Sequence, residues 1–322
     1  MIAVEKRPPP SAFLLAFAAI YLIWGSTYLG IRVAVQTIPP FLMAAARFFC
    51  AGLLLLAFLK AKKVAWPTPK QWRDNAIVGT FLLLGGNGLV AWAEQTVPSG
   101  ITALVIGVQP VFMVMTEWAW PGGLRPNWAV MVGMALGFVG VAWLAAPWET
   151  GAAQPLSIAG LVGILCACGF WAFGSIYLRH AKPSAPPFMA SAVQMLMGSL
   201  ALAFVAAVRG EFGLVDVSRI SGHSWFAFVY LILIGSLVGF STFAWLMKHS
   251  TPARVATYAY VNPVVAVILG YLLLDEPISR RTVFGAIIIV VAVVIVTTQK
   301  TKAKALAPPG GPGADAAPAR TR

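Results

Sequence analysis

The feature that most constrains this chain is a succession of continuously apolar stretches, each close to the length of a membrane-spanning helix. A helix of about twenty apolar residues crosses the roughly 30 Å hydrocarbon core of a bilayer. Hydrophobic residues make up 59% of the sequence and charged residues only 10%, against roughly 25% charged in soluble domains. Because the stretches do not alternate every second residue, they predict helices rather than strands. We therefore expect an all-α integral membrane protein.

Prolines and glycines mark the ends of these stretches, since a proline inside a helix removes a backbone hydrogen bond. Between these marks, the sequence predicts ten transmembrane helices. A cytoplasmic N-terminal segment, residues 1–10, precedes them, and a tail rich in Pro, Gly and Ala, residues 299–322, is expected to be disordered and cytoplasmic. The predicted spans are residues 11–31, 38–59, 74–93, 98–119, 127–146, 157–178, 187–208, 224–246, 252–274 and 282–298.

Lysines and arginines are distributed unevenly between the two sets of loops. If the N-terminus is cytoplasmic, 17 of the 23 Lys and Arg residues fall in cytoplasmic segments, five fall in outside loops, and Arg47 lies within a span. Cytoplasmic loops of membrane proteins carry such an excess of positive charge. We therefore expect both termini in the cytoplasm. We attribute the net charge of +13 to contacts with anionic lipid headgroups and not with nucleic acid.

The second half of the chain repeats the first. At an offset of 149 residues, Trp24-Gly25-Ser26-Thr27-Tyr28 aligns with Phe173-Gly174-Ser175-Ile176-Tyr177, and at an offset of 153, Gln109-Pro110-Val111 aligns with Asn262-Pro263-Val264. Five helices per half is an odd number, so the second half must cross the membrane in the opposite sense. We predict a 5+5 inverted-topology repeat formed by residues 11–146 and 157–298. Such repeats are typical of secondary transporters, which open alternately to either face around a central site.

Several short motifs lie in the two halves, between about residue 11 and residue 298. They are Tyr21–Tyr28, Ala46-Arg47-Phe48, Gly86-Asn87-Gly88 with Glu94, Pro98-Ser99-Gly100, Tyr258–Pro263 and Asp275-Glu276-Pro277. In these motifs the chain resembles the drug/metabolite transporter superfamily, and within it the EamA-domain family with its bacterial exporters of the YedA type. The resemblance implies export of amino acids, other metabolites or toxic compounds across the inner membrane, through a cavity lined mainly by spans one, three, four, six, eight and nine. The chain departs from the family at Trp120-Pro121-Gly122-Gly123, where many relatives carry an acidic residue.

Polar side chains within spans are costly unless they are paired or hydrated, so they are candidates for function. Arg47 lies near the middle of the second span. It could orient an anionic substrate group, or it could hold neighbouring helices or extend toward a membrane surface. Gln109 and Asn262 each precede a proline that frees a backbone carbonyl, and each amide could contact substrate or rebond the interrupted turn. Asn87 lies in a glycine-rich run that favours close packing or a loosened helix, and we expect its amide to line the cavity.

Aromatic and titratable residues supply the remaining candidates. Several tryptophans and tyrosines fall in the spans expected around the cavity, where they could form a tolerant stacking surface or could instead contact lipid and other helices. The acids and the histidine are candidates for proton coupling, but their positions near span ends favour solvated helix ends. The candidate substrate-binding residues are Trp24, Tyr28, Asn87, Gln109, Trp171, Tyr258, Tyr260 and Asn262, and the candidates for a coupling or charge role are Arg47, Glu94, Glu117 and His249.

The sequence favours a secondary active exporter of small organic molecules over other classes of protein. It has no Gly-x-x-x-x-Gly-Lys loop for binding a nucleotide, which argues against direct ATP hydrolysis. Its three histidines lie in loops or at span ends, which argues against an intramembrane enzyme. A facilitative uniporter or channel-like exporter without proton coupling is the alternative. We expect a small-molecule substrate and membrane lipids as partners, with no nucleic acid, no cofactor and no metal, and a monomer is compatible with the sequence.

Overall fold

The structure is a computed structural model of the 322-residue chain, and it describes residues 9–123, 125–145, 156–181, 186–250 and 258–298. All regular secondary structure in these residues is helical. Two short helices, Glu211–Leu214 and Val217–Arg219, lie in the connection before the eighth long helix. The long helices are α1 (Pro10–Ala34), α2 (Pro40–Ala61), α3 (Pro69–Ala93), α4 (Ser99–Ala119), α5 (Trp128–Ala145), α6 (Ile158–Ala181), α7 (Pro187–Val208), α8 (residues 222–249), α9 (Tyr258–Leu274) and α10 (Arg280–Thr298).

Nine of the helices in the described residues are long and apolar enough to cross a membrane. The remaining one, α9, has 17 residues, and the first six residues of the span predicted at 252–274 lie outside the described residues. The predicted tail, 299–322, and most of the N-terminal segment, residues 1–8, also lie outside them. The prediction of an all-helical membrane protein is confirmed.

The start of α3 differs from the prediction, and a capping motif explains the difference. The sequence places the span from residue 74, but the helix begins at Pro69. The Thr68 hydroxyl accepts a hydrogen bond from the Gln71 backbone N–H at 3.3 Å, and the Gln71 side-chain oxygen accepts one from the Thr68 N–H at 2.9 Å. This capping box satisfies two free donors and adds a polar first turn to the helix. The apolar pattern alone does not reveal that turn.

Three of the long helices are irregular in the middle. The backbone of α3 is π-helical over Thr80–Gly88, and that of α8 is π-helical over Leu231–Val238. In α4 the first helical segment ends at Ile106 and a second begins at Gln109, directly before a proline. In α9 the backbone continues as a helix through Pro263. The two proline positions that the sequence aligns therefore have different backbone geometry.

Helices from the two halves of the chain pack against each other throughout the molecule. The most extensive contacts join α2 to α7 and α5 to α10. Helix α1 packs against α8 and α9, and helix α6 packs against α3 and α4. The approach of α3 to α7 is close, because a Cβ atom added at Gly79 would lie 2.3 Å from the Gln194 carbonyl oxygen. In the same interface the Gln194 amide nitrogen donates to the Asn75 side-chain oxygen at 2.8 Å.

The helix bundle has two ends, the Glu94 end and the Glu117 end, each named for an acidic residue that lies there. At the Glu94 end, α1 and α3 end and α2 and α4 begin. At the Glu117 end, α4 and α6 end.

Candidate functional site

Trp24 of α1 lies at the centre of an aromatic cluster that includes residues of α8 and α9. Its ring centroid lies 5.0 Å from that of Tyr258, 5.1 Å from that of Phe243 and 5.7 Å from that of Phe240. Gly239 makes room for the indole, because a Cβ atom there would lie 2.7 Å from the Trp24 Nε1. Tilted and edge-to-face contacts of this kind are favourable for aromatic rings. The cluster therefore holds two candidate residues, Trp24 and Tyr258, between a helix of the first half and two helices of the second.

Tyr28 connects this cluster to the Glu94 end. It lies one helical turn after Trp24 on the same face of α1 and is half-buried. Its hydroxyl interacts electrostatically with Tyr258 and with Glu94. The structure therefore brings three of the candidate substrate-binding residues, Trp24, Tyr28 and Tyr258, close to one another.

Two other candidates lie at the contact between α3 and α6. Trp171 packs on α3 at Gly86, where an added Cβ atom would lie 2.9 Å from the Trp171 Cε3. Asn87 is half-buried in the π-helical segment, and its amide nitrogen donates to the Leu82 carbonyl five residues earlier at 3.3 Å. The glycine-rich run thus gives both of the expected effects, a close helix contact and a loosened helix. The side chain of Tyr260 lies outside the described residues.

The two amides that precede prolines both satisfy backbone carbonyl groups. With its amide nitrogen turned toward them, the buried Asn262 donates to the Tyr258 carbonyl at 3.1 Å and to the Tyr21 carbonyl of α1 at 3.3 Å. Gln109 donates to the Cys168 carbonyl of α6 at 3.2 Å. Each amide therefore joins its helix to a helix of the other half. Contact of either amide with substrate stays a prediction.

The π-helical segments occupy related positions in the two halves. Shifted by the offset of 153 residues, Thr80–Gly88 corresponds to residues 233–241, which overlap Leu231–Val238. A π-helical turn shifts the register of side chains and is frequent at functional sites. Sequence reasoning missed the segment in α8. This segment contains Gly235 and begins four residues before it, and Gly239 follows it; glycines at this spacing favour close helix packing but do not by themselves predict a π-helical turn.

Arg47 is buried inside the bundle, with 3% of its surface exposed. Its Nε donates to the Ser236 hydroxyl of α8 at 2.8 Å, and its guanidinium lies 4.6 Å from the centroid of the Phe48 ring. The expectation that this side chain extends toward a membrane surface is therefore wrong, because the adjacent π-helical segment offers an acceptor at depth. Close by on the same helix, the Tyr230 hydroxyl bonds the Ser26 hydroxyl of α1 at 2.5 Å. Ser236 and Tyr230 are polar residues of the site that sequence reasoning missed.

Glu94 follows the last residue of α3 and is fully buried. Neither of its carboxylate oxygens has a hydrogen-bond partner among the described residues, while the Arg32 guanidinium donates to its backbone carbonyl. Burial raises the pKa of Glu94 well above its usual range, and the nearby Glu276 carboxylate raises it further, whereas Arg32 and Arg47 lower it. The expectation of a solvated helix end is wrong here, because the last turn of α3 packs against α6 and α2 and the Glu94 side chain has no exposed surface.

Glu276, in the segment after α9, caps the start of α4. Its Oε1 accepts hydrogen bonds from the Ser99 backbone N–H at 2.8 Å and from the Ser99 hydroxyl at 3.0 Å. Its Oε2 accepts from the Gly100 backbone N–H at 3.0 Å. The free N–H groups and the positive end of the dipole make a helix N-terminus a favourable place for a carboxylate. The sequence shows Glu276 only as part of a family motif, because nothing in its own segment identifies a partner 176 residues away.

The remaining titratable candidates lie away from this cluster. At the Glu117 end, Glu117 forms an ion pair with Arg179 of α6, and the His180 Nε2 lies 3.8 Å from the same carboxylate. His249 is half-buried at the end of α8, and its Nδ1 lies 2.8 Å from the Trp245 carbonyl oxygen. Within the described ranges, no group of three or more His, Cys, Asp or Glu residues is placed to hold a metal ion.

Comparison with known proteins gives a consistent result. Residues 11–146 and residues 158–298 each match the EamA-like transporter family. The chain is 38% identical over 267 residues to the uncharacterized inner membrane transporter YedA of Escherichia coli K12, covering 82% of this chain and 84% of that protein. It is 25% identical over 289 residues to the probable amino-acid metabolite efflux pump of the same strain, covering 84% and 89%.

A solved crystal structure shows the same fold. Its chain is 22% identical to this one, with a TM-score of 0.60 and coverage of 89% of this chain and 97% of that chain. The family match extends over both halves, and the similarity to YedA extends over most of the chain. This protein therefore belongs to the EamA-like transporter family and is a multi-pass inner membrane transporter, not an enzyme.

Proposed function

We propose that this protein is a secondary active exporter of small organic molecules, such as amino acids, related metabolites or drugs, and that it works by alternating access. The observation that carries the proposal is the aromatic cluster around Trp24, which lies between helices of the two halves. Phe48, whose ring centroid lies 6.2 Å from that of Phe240, connects the cluster to the guanidinium of Arg47. Aromatic faces suit varied and partly apolar molecules. A buried charge beside them suits the polar end of such a molecule.

The proposed architecture is a 5+5 inverted-topology repeat of ten membrane-spanning helices. Exchanging each helix of the first half with its counterpart converts the contact of α1 with α9 into that of α6 with α4. The same exchange converts the contact of α1 with α8 into that of α6 with α3, and it leaves the α2–α7 and α5–α10 pairs unchanged. All of these contacts are present. They support a two-fold relation between the halves, as alternating access around a central site requires.

The proposed orientation follows from the distribution of positive charge. With both termini in the cytoplasm, the Glu94 end faces the outside and the Glu117 end faces the cytoplasm. The proposed substrate-binding residues are those of the aromatic cluster and its surroundings, with Arg47 beside them. Trp171, Asn87, Gln109 and Asn262 are proposed as further contacts that become available when the two halves separate.

Comparing the medium of expressing cells tests the export proposal directly. Cells that produce the wild-type protein, Trp24→Ala or Tyr258→Ala are grown in parallel, and all small molecules in the medium are quantified. Trp128→Ala is the matched control, because Trp128 is 77% exposed at the start of α5, away from the cluster. We expect one or more compounds to accumulate with the wild-type protein and the control, and not with the two cluster variants. Accumulation that is the same for all four proteins would refute the site.

A second experiment separates active export from facilitated diffusion, which is the alternative. Purified protein is reconstituted into vesicles loaded with a compound found by the first experiment, and efflux is measured with and without a pH gradient. Efflux against the concentration gradient when the pH gradient is present supports secondary active transport. Efflux that is indifferent to the pH gradient shows a uniporter or a channel-like exporter.

A further inference from the structure

Glu276 fastens the end of α9 to the start of α4, and so it joins the two halves of the chain at the Glu94 end. Glu276 is half-buried, and two glycines leave room for its carboxylate. A Cβ atom added at Gly270 would lie 2.4 Å from the Glu276 Oε2, and one added at Gly100 would lie 3.5 Å from it. With the hydrogen bonds from Ser99 and Gly100, this contact holds α4 against α9 while the carboxylate stays in place. We call the contact of Glu276 with Ser99 and Gly100 the Glu276 latch.

Glu94 is an unsatisfied acid beside the latch. The charged and titratable groups that face it are Tyr28 and Arg32 of α1, Arg47 of α2, and Glu276 of the segment after α9. Neither arginine donates to the Glu94 carboxylate, since Arg32 donates to the backbone carbonyl of Glu94 and Arg47 donates to the Ser236 hydroxyl. An ionised carboxylate without hydrogen bonds is costly to bury. A second negative charge close to Glu276 would also repel it.

We infer that Glu94 binds a proton and that this proton controls the Glu276 latch. With the proton bound, Glu94 is neutral and the Glu276 carboxylate remains on the first turn of α4. When the proton leaves, two negative charges face each other, and the latch opens so that water and the arginines reach both carboxylates. Proton binding therefore favours the state that is closed at the Glu94 end. The inference rests on the proposed function, because it is alternating access that requires an end to open and close.

The latch is present at one end of the described structure. Shifting Glu276 by the offset of 153 residues gives Gly123, so the first half has no acid at the related position. Among the described residues toward the Glu117 end, Glu117 is paired with Arg179, and Asp74 is paired with Lys70 and Arg73. In the part of the chain that the structure describes, the unpaired acid beside a carboxylate cap therefore lies at the Glu94 end, which faces the outside in the proposed orientation. A proton that arrives from outside closes this end after substrate has left.

A single cysteine beneath the latch can report its opening without any substrate. Thr102 lies one turn after Ser99 on α4 and is fully buried. The test uses the full chain with its three cysteines replaced by alanine and with Thr102→Cys as the probe. The protein is purified in lipid nanodiscs and treated with a membrane-impermeant maleimide. Labelling rates at about pH 5.5 and about pH 8.5 are divided by those of Thr96→Cys, an exposed position at the same end, to remove the pH dependence of the thiol itself.

We expect the normalised labelling of Thr102→Cys to be about tenfold faster at the higher pH, which corresponds to about 1.4 kcal/mol for the opening equilibrium. Glu94→Gln, which is neutral throughout, should label slowly at both pH values. Glu94→Asp should restore the pH dependence, which a purely structural role would not predict. Glu276→Gln should label rapidly at both. Glu211→Gln is the matched control, because Glu211 is another buried carboxylate that accepts a backbone hydrogen bond, from Leu42 at the start of α2.

Two results would overturn the inference. One is labelling of Thr102→Cys that does not change with pH, and the other is a pH dependence that Glu94→Gln retains. Either would leave the export proposal intact, because no substrate takes part in the measurement. Conversely, labelling that follows the expected pattern without any exported compound would refute the proposed function and leave the proton-controlled latch standing.

Discussion

We predict that Gly79→Ala lowers the stability of the folded protein, because Gly79 lies where α3 crosses α7. The Cβ atom of the alanine would lie 2.3 Å from the Gln194 carbonyl oxygen and 3.0 Å from the Gln194 Cα. An ordinary carbon–oxygen contact is about 3.3–3.6 Å, so the two helices must separate by roughly 1 Å. The atoms that clash belong to the backbone, and rotation of a side chain cannot relieve the contact. Gly198 meets α3 in the same crossing, where its Cβ atom would lie 2.7 Å from the Gly79 carbonyl oxygen.

The expected loss is the balance of two terms. Alanine in place of a helical glycine gains roughly 0.5–1 kcal/mol of intrinsic helix stability. Overpacking costs about 1–3 kcal/mol, and a contact with backbone lies in the upper part of that range. We therefore expect a net loss of about 2 kcal/mol for Gly79→Ala and a similar loss for Gly198→Ala. Because both glycines belong to one crossing, the double variant should lose less than the sum of the two.

Thermal unfolding of the purified protein in detergent measures this effect. For a chain of 322 residues, with an unfolding entropy of about 2.1 cal/mol/K per residue, we expect the midpoint to fall by roughly 3 °C in each single variant. Gly213→Ala is the matched control, because no atom lies within 4 Å of a Cβ at that position, and its midpoint should stay within about 1 °C of the wild type. If Gly79→Ala unfolds at the wild-type temperature, the close approach of α3 to α7 is wrong.

Three further predictions concern polar and titratable groups. Gln194→Ala should lose about 1–3 kcal/mol in the same unfolding assay, because it leaves the buried Asn75 side-chain oxygen without its donor; additivity with Asn75→Ala would show that the two amides do not interact. Ser236→Ala removes the acceptor of the Arg47 Nε and should cost about 1–3 kcal/mol, whereas an unchanged midpoint would mean that Arg47 finds another partner. The pKa of Glu94 is raised, so this acid binds a proton at a higher pH than an exposed glutamate does. Export by wild-type vesicles should therefore fall as the outside pH rises, and Glu94→Gln should abolish that dependence; a pH dependence kept by Glu94→Gln would exclude Glu94 as its origin.

The apolar helices were predictable because they depend on local composition. An apolar run of sufficient length and a proline at its end indicate a span without reference to any other part of the chain. The resemblance to EamA-domain exporters rests likewise on short motifs, and the family match confirms it. The extra first turn of α3 escaped the pattern because Thr68 and Gln71 satisfy backbone donors and add no apolar residue to the run.

The site was predictable only in part. Trp24 and Tyr258 were identified from the spans that contain them, and the structure places their rings in contact. The burial of Glu94 could not be predicted, because a glutamate at the end of an apolar run is expected to be exposed to water. Its burial accompanies the packing of the last turn of α3 against α6 and α2, which come from other parts of the chain.

The composition of the apolar runs is enough to show that this protein crosses the membrane repeatedly, since the bilayer imposes the length and composition of each span. Which polar groups satisfy one another depends instead on how the helices pack. The Glu276 carboxylate accepts hydrogen bonds from Ser99 and Gly100 at the start of α4. The Glu94 carboxylate is buried and has no hydrogen-bond donor among the described residues. The physical reason is that a hydrogen bond is decided by distances of about 3 Å between groups, and those distances are set by helix packing far along the chain.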